Sequence, residues 1–195
     1  MLQRLFGRLV LVVVVVLGLW FVISHYHGND QFGCQVDFPA AQAEVADGVC
    51  PANLAEAATD AQWAAARIAS IADAPITTGL LYDEDGHEER IESGQSGPAF
   101  EHAVQYLRPY AGIQIFDRPP GQQAAGHVEV KASALMRDAG LASGVLVINN
   151  PAGPCGYVSN VGCPFIMELI LPKGSSIVVW WPGGKHGMYE GTAER

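Results

Sequence analysis

From His127 onward the chain switches repeatedly between the two hydrophobic periods that separate helices from strands, and this alternation most restricts its fold. Over His127 to Ala139, apolar residues recur at Val128, Ala132, Leu135, Met136 and Ala139, the spacing of one helix face. Gly140 follows, where a helix closes best on a residue free to turn left-handed. Val145 to Asn149 is instead an unbroken apolar run, the mark of a strand covered on both sides. Pro164 to Leu171 reads as a second helix, with proline in its first turn and Pro172 as its stop. Ile177 to Trp181 reads as another buried strand, which makes Trp180 and Trp181 core residues.

Upstream, Pro51 to Ala72 is rich in alanine, carries Leu54, Trp63, Ile68 and Ile71, and predicts one helix starting near Asn53 as N-cap. Thr77 to Tyr82 and His87 to Glu92 read as strands joined by the tight turn Asp83-Glu84-Asp85-Gly86, a hairpin. Ser93 to Pro98 is a loop and Ala99 to Leu107 a short helix. Arg118 to Gly126 and Asn150 to Gly162 are loops. Strand, helix, strand, helix, strand predicts a three-layer α/β/α sandwich. The expected division is an N-terminal hydrophobic segment to residue 28, a spacer with the alanine-rich helix from 29 to 75, and a folded domain from 76 to 195.

Leu9 to Ile23 is an apolar run of valine and leucine behind Arg4 and Arg8. It is short for a membrane span of roughly 20 residues and suits the core of a signal peptide. No small-x-small site follows closely, so an uncleaved signal anchor with the arginines inside is the favoured reading. A cleaved signal and a buried core helix are the alternatives. The five consecutive valines, Val12 to Val16, argue against the last.

The formal net charge of −9 is carried unevenly: Asp30 to Pro119 holds 15 acids and 4 bases, Pro120 to Arg195 holds 5 of each. Strong non-specific binding to nucleic acid needs basic runs that neutralise phosphates, and there are none. A compact site engaging a few nucleotides is compatible with this balance. Cys34 and Cys50 lie just beyond the apolar run and would pair as a disulfide on export. Cys155 and Cys163 sit in a glycine- and proline-rich loop, where a second disulfide is one reading and a metal site the other.

His127-Val128-Glu129 favours the metal. One imidazole and two thiols hold zinc with a fourth position open. Residues two apart on a helix diverge, so His127 and Glu129 can serve one site only from the first turn, which Gly126 leaves open. Cys163, before Pro164, is expected as the N-cap of the next helix, where the thiolate is favoured. Two helix starts at the mouth of strand Val145 to Asn149 would bring His127, Glu129, Cys155 and Cys163 together. Zinc in such a site activates water, and Glu129 would relay the protons of a hydrolytic step. The pattern also occurs at His87-Glu88-Glu89, but after a turn, on a polar strand and without a cysteine pair, so that copy reads as surface.

These residues are those of a zinc deaminase pattern, H-x-E followed by P-C-x-x-C, although seven residues rather than two separate Cys155 from Cys163. The C-terminal half resembles the DddA-like bacterial deaminase toxins, a branch of the zinc cytidine deaminase superfamily. The matching stretches are Gly126 to Glu129, Ala134 to Gly140, Val147 to Pro151, Gly153 to Gly156 and Leu169 to Gly174. With the hairpin and the Ser93 to Pro98 loop, the resemblance runs from about Ile76 to Thr192. It implies a cytidine-deaminase-type fold, zinc on His127, Cys155 and Cys163, and Glu129 as proton shuttle. It implies Asn149 and Asn150 at the base pocket, Ser93 and Gly94 in contact with substrate, and Tyr157 as a stacking candidate. The activity implied is conversion of cytosine to uracil in double-stranded DNA, delivered to competitor cells and neutralised in the producer by an immunity protein. Single-stranded DNA, RNA or free nucleosides are the alternative substrates. A membrane-anchored interaction module with a structural zinc, closed by a fourth ligand such as His186, is the alternative of another class.

Overall fold

A computed structural model describes residues 51, 53–110, 124–156 and 162–194. The apolar run Leu9 to Ile23, Cys34, Cys50 and Tyr157 lie outside the described residues. Among those described, no helix is long and apolar enough to cross a membrane.

The single helix predicted over Pro51 to Ala72 is two. α1 (Leu54–Ala57) begins where expected, with the Asn53 side chain accepting from the Glu56 amide at 3.0 Å. α2 (Ala61–Ser70) starts afresh because Asp60 takes up the amides of Gln62 and Trp63, both at 2.9 Å. An aspartate in that role offers the backbone a better partner outside a helix than within one. The hairpin forms as β1 (Thr78–Tyr82) and β2 (Glu88–Glu92). α3 (Pro98–Leu107) takes proline into its first turn.

α4 (Val128–Ala139), β3 (Ser143–Ile148), α5 (Cys163–Ile170) and β4 (Ser176–Trp181) follow within a residue or two of their predicted limits. β5 (Lys185–Glu190) was not foreseen from the sequence. It is an edge strand with mostly exposed side chains, so it lacks the apolar run that marks β3 and β4. The five strands form one mixed sheet in the order β2-β1-β3-β4-β5, with β3 and β4 parallel and the other neighbours antiparallel.

Alternation along the strands divides the core. Leu80, Tyr82, Val145, Val147 and Trp180 face α1 and α2, where they meet Leu54, Trp63, Ala64 and Ile68. Leu81, Leu146, Ile148, Ile177, Val179 and Trp181 face the other way, against Val128, Ala132 and Met136 of α4 and Met167 of α5. Helices therefore cover both faces of the sheet. A further cluster joins α3 to the outer side of α4 and α5 through Ala103, Leu107, Val130, Ala134, Ile166 and Ile170. Being covered from two directions, α4 is buried nearly all round, whereas Ala139, predicted on its apolar stripe, is exposed.

Two close approaches fix the ends of this arrangement. A side chain at Gly79 in β1 would place its Cβ 2.6 Å from Val128, so the bare strand lets the start of α4 sit against the sheet. At the far end of α4, Arg137 donates to the carbonyls of Ile170 and Glu194, each at 3.0 Å. With the Pro172–Ala193 bridge and the Lys173–Glu194 ion pair, this fastens the last described residues to the sheet end where β3 and β4 begin.

Candidate metal centre and active site

β3 and β4 are parallel, and the loop leaving the carboxyl end of β3 carries Asn149, Asn150 and Cys155. Crevices at the carboxyl ends of parallel strands are the usual place for a ligand in such sheets. His127 is the N-cap of α4, in an extended conformation and making no capping bond with its side chain, so its imidazole is available to the neighbouring loop. Cys163 is the first residue of α5. The cap itself is Gly162, one residue earlier than predicted.

Three atoms converge. His127 Nδ1 lies 3.1 Å from Cys163 Sγ and 3.3 Å from Cys155 Sγ, and the two sulfurs are 3.1 Å apart. Both cysteines are free thiols, Cys163 buried and Cys155 exposed. The approach is closed by a backbone bond from the Cys163 amide to the Cys155 carbonyl at 2.8 Å. It also depends on Gly162, where a Cβ would fall 2.2 Å from that same carbonyl oxygen. Gly162 escaped the sequence reading because the clash exists only once the loop has folded back.

In this cluster the thiols and imidazole share protons. The Cys163 thiol beside it, then the His127 ring, hold Cys155 down at about 4, so that it is a thiolate. The hydrogen bond with Cys155, then burial and the nearby Glu129 carboxyl, push the Cys163 thiol well up, and the contact with Cys155 raises His127. One imidazole and two thiols within bonding reach of a common point are a zinc donor set, and three protein ligands leave a position open, as catalytic zinc sites do. Among the described residues His186 is no part of it. Its ring stacks on Trp180, with centroids 4.3 Å apart.

Glu129 is only 2% exposed. Burial pushes its carboxyl up to about 7, with its own backbone amide and His127 acting downward and Cys155 upward. A carboxyl balanced there both accepts and returns a proton at neutral pH.

The residues expected around the substrate differ in what holds them. The Gly94 amide donates to the Gly126 carbonyl at 2.9 Å, which sets Ser93 and Gly94 beside the start of α4. Asn149 is committed to the backbone: its Oδ1 accepts from the Thr78 amide at 2.9 Å and its Nδ2 donates to the carbonyls of Ile71 and Ile76. Asn150 braces its own turn, accepting from the Ala152 amide and donating to the Gly153 carbonyl at 2.7 Å. Trp180 and Trp181 are buried core side chains, as their strand predicted.

The model of the SCP1.201-like deaminases matches residues 49–194. The chain belongs to that deaminase family. Over 65 residues, 33% of this chain, it is also 37% identical to the double-stranded DNA deaminase toxin A of Burkholderia cenocepacia (strain H111), and it covers 4% of that protein's length. In an SCP1.201-like deaminase the buried carboxyl beside the His/Cys/Cys cluster is the arrangement that hydrolytic deamination needs: a metal donor set and a proton carrier at one mouth.

Proposed function

We propose that this protein is a zinc-dependent cytosine deaminase that converts cytosine to uracil in DNA, preferring the double strand. The observation that carries the reading is the meeting of His127 Nδ1, Cys155 Sγ and Cys163 Sγ beside the buried Glu129 carboxyl. The mixed sheet with helices on both faces is read as a cytidine-deaminase-type sandwich. Leu54, Trp63 and Ile68 close one face of that sheet, so in this reading α1 and α2 pack as part of the domain rather than as the spacer expected over residues 29 to 75.

Held by His127, Cys155 and Cys163, zinc would supply an activated water for addition to C4 of the base. Glu129 would hold and move the protons, accepting one from the attacking water and delivering protons to the ring nitrogen and the departing amine, so that cytosine and water become uracil and ammonia. Positioned proton transfer of this kind contributes roughly 10²–10⁴-fold. Reaching a paired cytosine requires its extrusion, at about a few kcal/mol. In this reading Ser93 and Gly94 contact the substrate, Asn149 and Asn150 border the base pocket through the backbone they hold, and Tyr157 is the stacking candidate.

The name of the Burkholderia relative, a double-stranded DNA deaminase toxin, supports the double-stranded substrate and the toxin reading, and use between competing bacteria is part of the proposal. In this reading the run Leu9 to Ile23 exports or tethers the protein, which acts in the cytoplasm of a target cell. The producer carries an immunity protein. The test incubates the full zinc-loaded chain with labelled double- and single-stranded DNA and reads uracil by glycosylase cleavage, with Glu129→Gln alongside. Uracil in the duplex that the variant does not make supports the reading. Uracil in single strands alone replaces the substrate, and none in either removes DNA cytosine as the target.

A further inference from the structure

We propose that Lys131 is a positioning residue for substrate binding, its ammonium clamping the Ser93–Gly97 loop beside the mouth formed by His127, Cys155 and Cys163. The kinetic consequence rests on the deaminase reading above, whereas the clamp rests on geometry alone.

Lys131 is 6% exposed, in a residue type that is almost never buried without partners. Its Nζ donates to the carbonyl of Glu92 at 3.0 Å and points to that of Ser96 at 3.4 Å. Glu92 ends β2, and Ser96 lies three residues past the first loop position, so one ammonium spans the base of the loop. A buried charge is tolerated only where such dipoles replace its water, so the lysine and the carbonyls hold each other in place.

Two further bonds aim the loop. The Ser93 amide donates to the Thr77 carbonyl at 2.8 Å, and the Gly94 amide donates to the Gly126 carbonyl, next to His127. Lys131 is itself one turn beyond His127, its amide bonded to the His127 carbonyl at 3.0 Å. The metal ligand and the clamp therefore ride on the same helical turn, and the loop cannot shift without moving relative to both. A cleft of about 550 Å³ borders the loop along Ser93, Ser96, Pro98, Lys131 and Leu135. Gln95 and Ser96 remain exposed at the loop tip, polar groups presented toward whatever enters.

The experiment uses Lys131→Met and Lys131→Arg in the full chain, with amide exchange followed by NMR and uracil formation followed on an oligonucleotide. The Gly94 amide is expected to exchange at least about tenfold faster in Lys131→Met, while the Leu141 amide at the far end of α4 keeps its rate. KM should rise about tenfold with kcat within about twofold and zinc content unchanged, and Lys131→Arg should recover most of the loss. Unchanged Gly94 exchange and KM would overturn the proposal. So would a fall in kcat and zinc content at constant KM, which is the signature of a merely structural role. Should the methionine variant not fold, the unmodified chain decides through ¹⁵N spectra of its lysine ammonium groups. Slowly exchanging protons on Lys131 but not on Lys173 or Lys185 support the clamp, and equal exchange at all three overturns it. If the unmodified chain makes no uracil, DNA cytosine fails as the target, and the exchange data alone still judge the clamp.

Discussion

The chain carries the His-x-Glu pattern twice, and the fold sets the two copies at opposite ends of one sheet. His87 follows the β1–β2 turn at the end where β3 begins, a turn held there by Glu84 accepting from the Ala142 and Ser143 amides. His127 stands at the end where β3 finishes. The His87 side chain is 78% exposed and takes Asp83 as partner at 3.0 Å. With Asp85 these two also come within reach of a common ion, but the cluster is mostly exposed and its other donors are carboxylates. His127 has the two cysteines for neighbours and, two residues on, a carboxyl only 2% exposed. Identical residue types thus carry different chemistry. Burial, a helix start and a sulfur-bearing loop separate the two copies, and none of these is a property of the three-residue pattern.

The largest expected effect separates the glutamates. Glu129→Gln should lower the rate of uracil formation by roughly 10²–10⁴-fold with zinc retained, while Glu89→Gln, on exposed β2, should leave it within about twofold. Equal losses, measured as initial rates alongside metal content, would break the contrast.

Next come the proposed metal ligands. Cys163→Ser or His127→Ala should weaken zinc binding by more than about a hundredfold, beyond the cost of losing a supporting partner. His87→Ala should leave it unchanged, as metal analysis after dialysis against a competing chelator would show.

A smaller effect sharpens the role of the two loops. Gly162→Ala forces a Cβ against the Cys155 carbonyl, and is expected to destabilise by about 1–3 kcal/mol and to weaken zinc binding with it. Gly86→Ala, in the His87 turn at φ 80°, should cost about 1–2 kcal/mol for its left-handed backbone and leave zinc untouched. Denaturant titrations with and without zinc read both.

The smallest concerns Asp83. Partial burial pushes its carboxyl up, but the His87 amide and ring and the Asp85 amide outweigh this and hold it below its ordinary value. A lowered carboxyl stabilises the fold above its ordinary value, and that stabilisation is lost as pH falls through the folded one. Asp83→Ala should therefore cost up to about 1 kcal/mol at neutral pH, with a difference from the unmodified chain that fades in acid.

Periodicity made α4, β3, α5 and β4 legible because each buries a continuous stripe or run. It failed where that signal is absent. β5 exposes most of its side chains, although the Gly183-Gly184 pair before it was a usable hairpin signal. The helix over Pro51 to Ala72 looked continuous because alanine favours helix throughout, and the capping bonds of Asp60 broke it.

At the site, sequence spacing marked His127, Glu129, Cys155 and Cys163, and the fold gathers their side chains at one mouth. Gly162 and Lys131 stayed hidden for different reasons. The first matters only through a Cβ it does not have. The second, a lysine on a helix, reads as solvated until the Glu92 and Ser96 carbonyls meet its ammonium.

The fastening of Glu194 by Arg137 sets where this module could be spliced into a longer polypeptide. α4 has 12 residues, so its far end lies about 18 Å from the His127 turn. A linker continued past Glu194 would leave from that remote end, and a bulky duplex could approach the cysteines without meeting the junction.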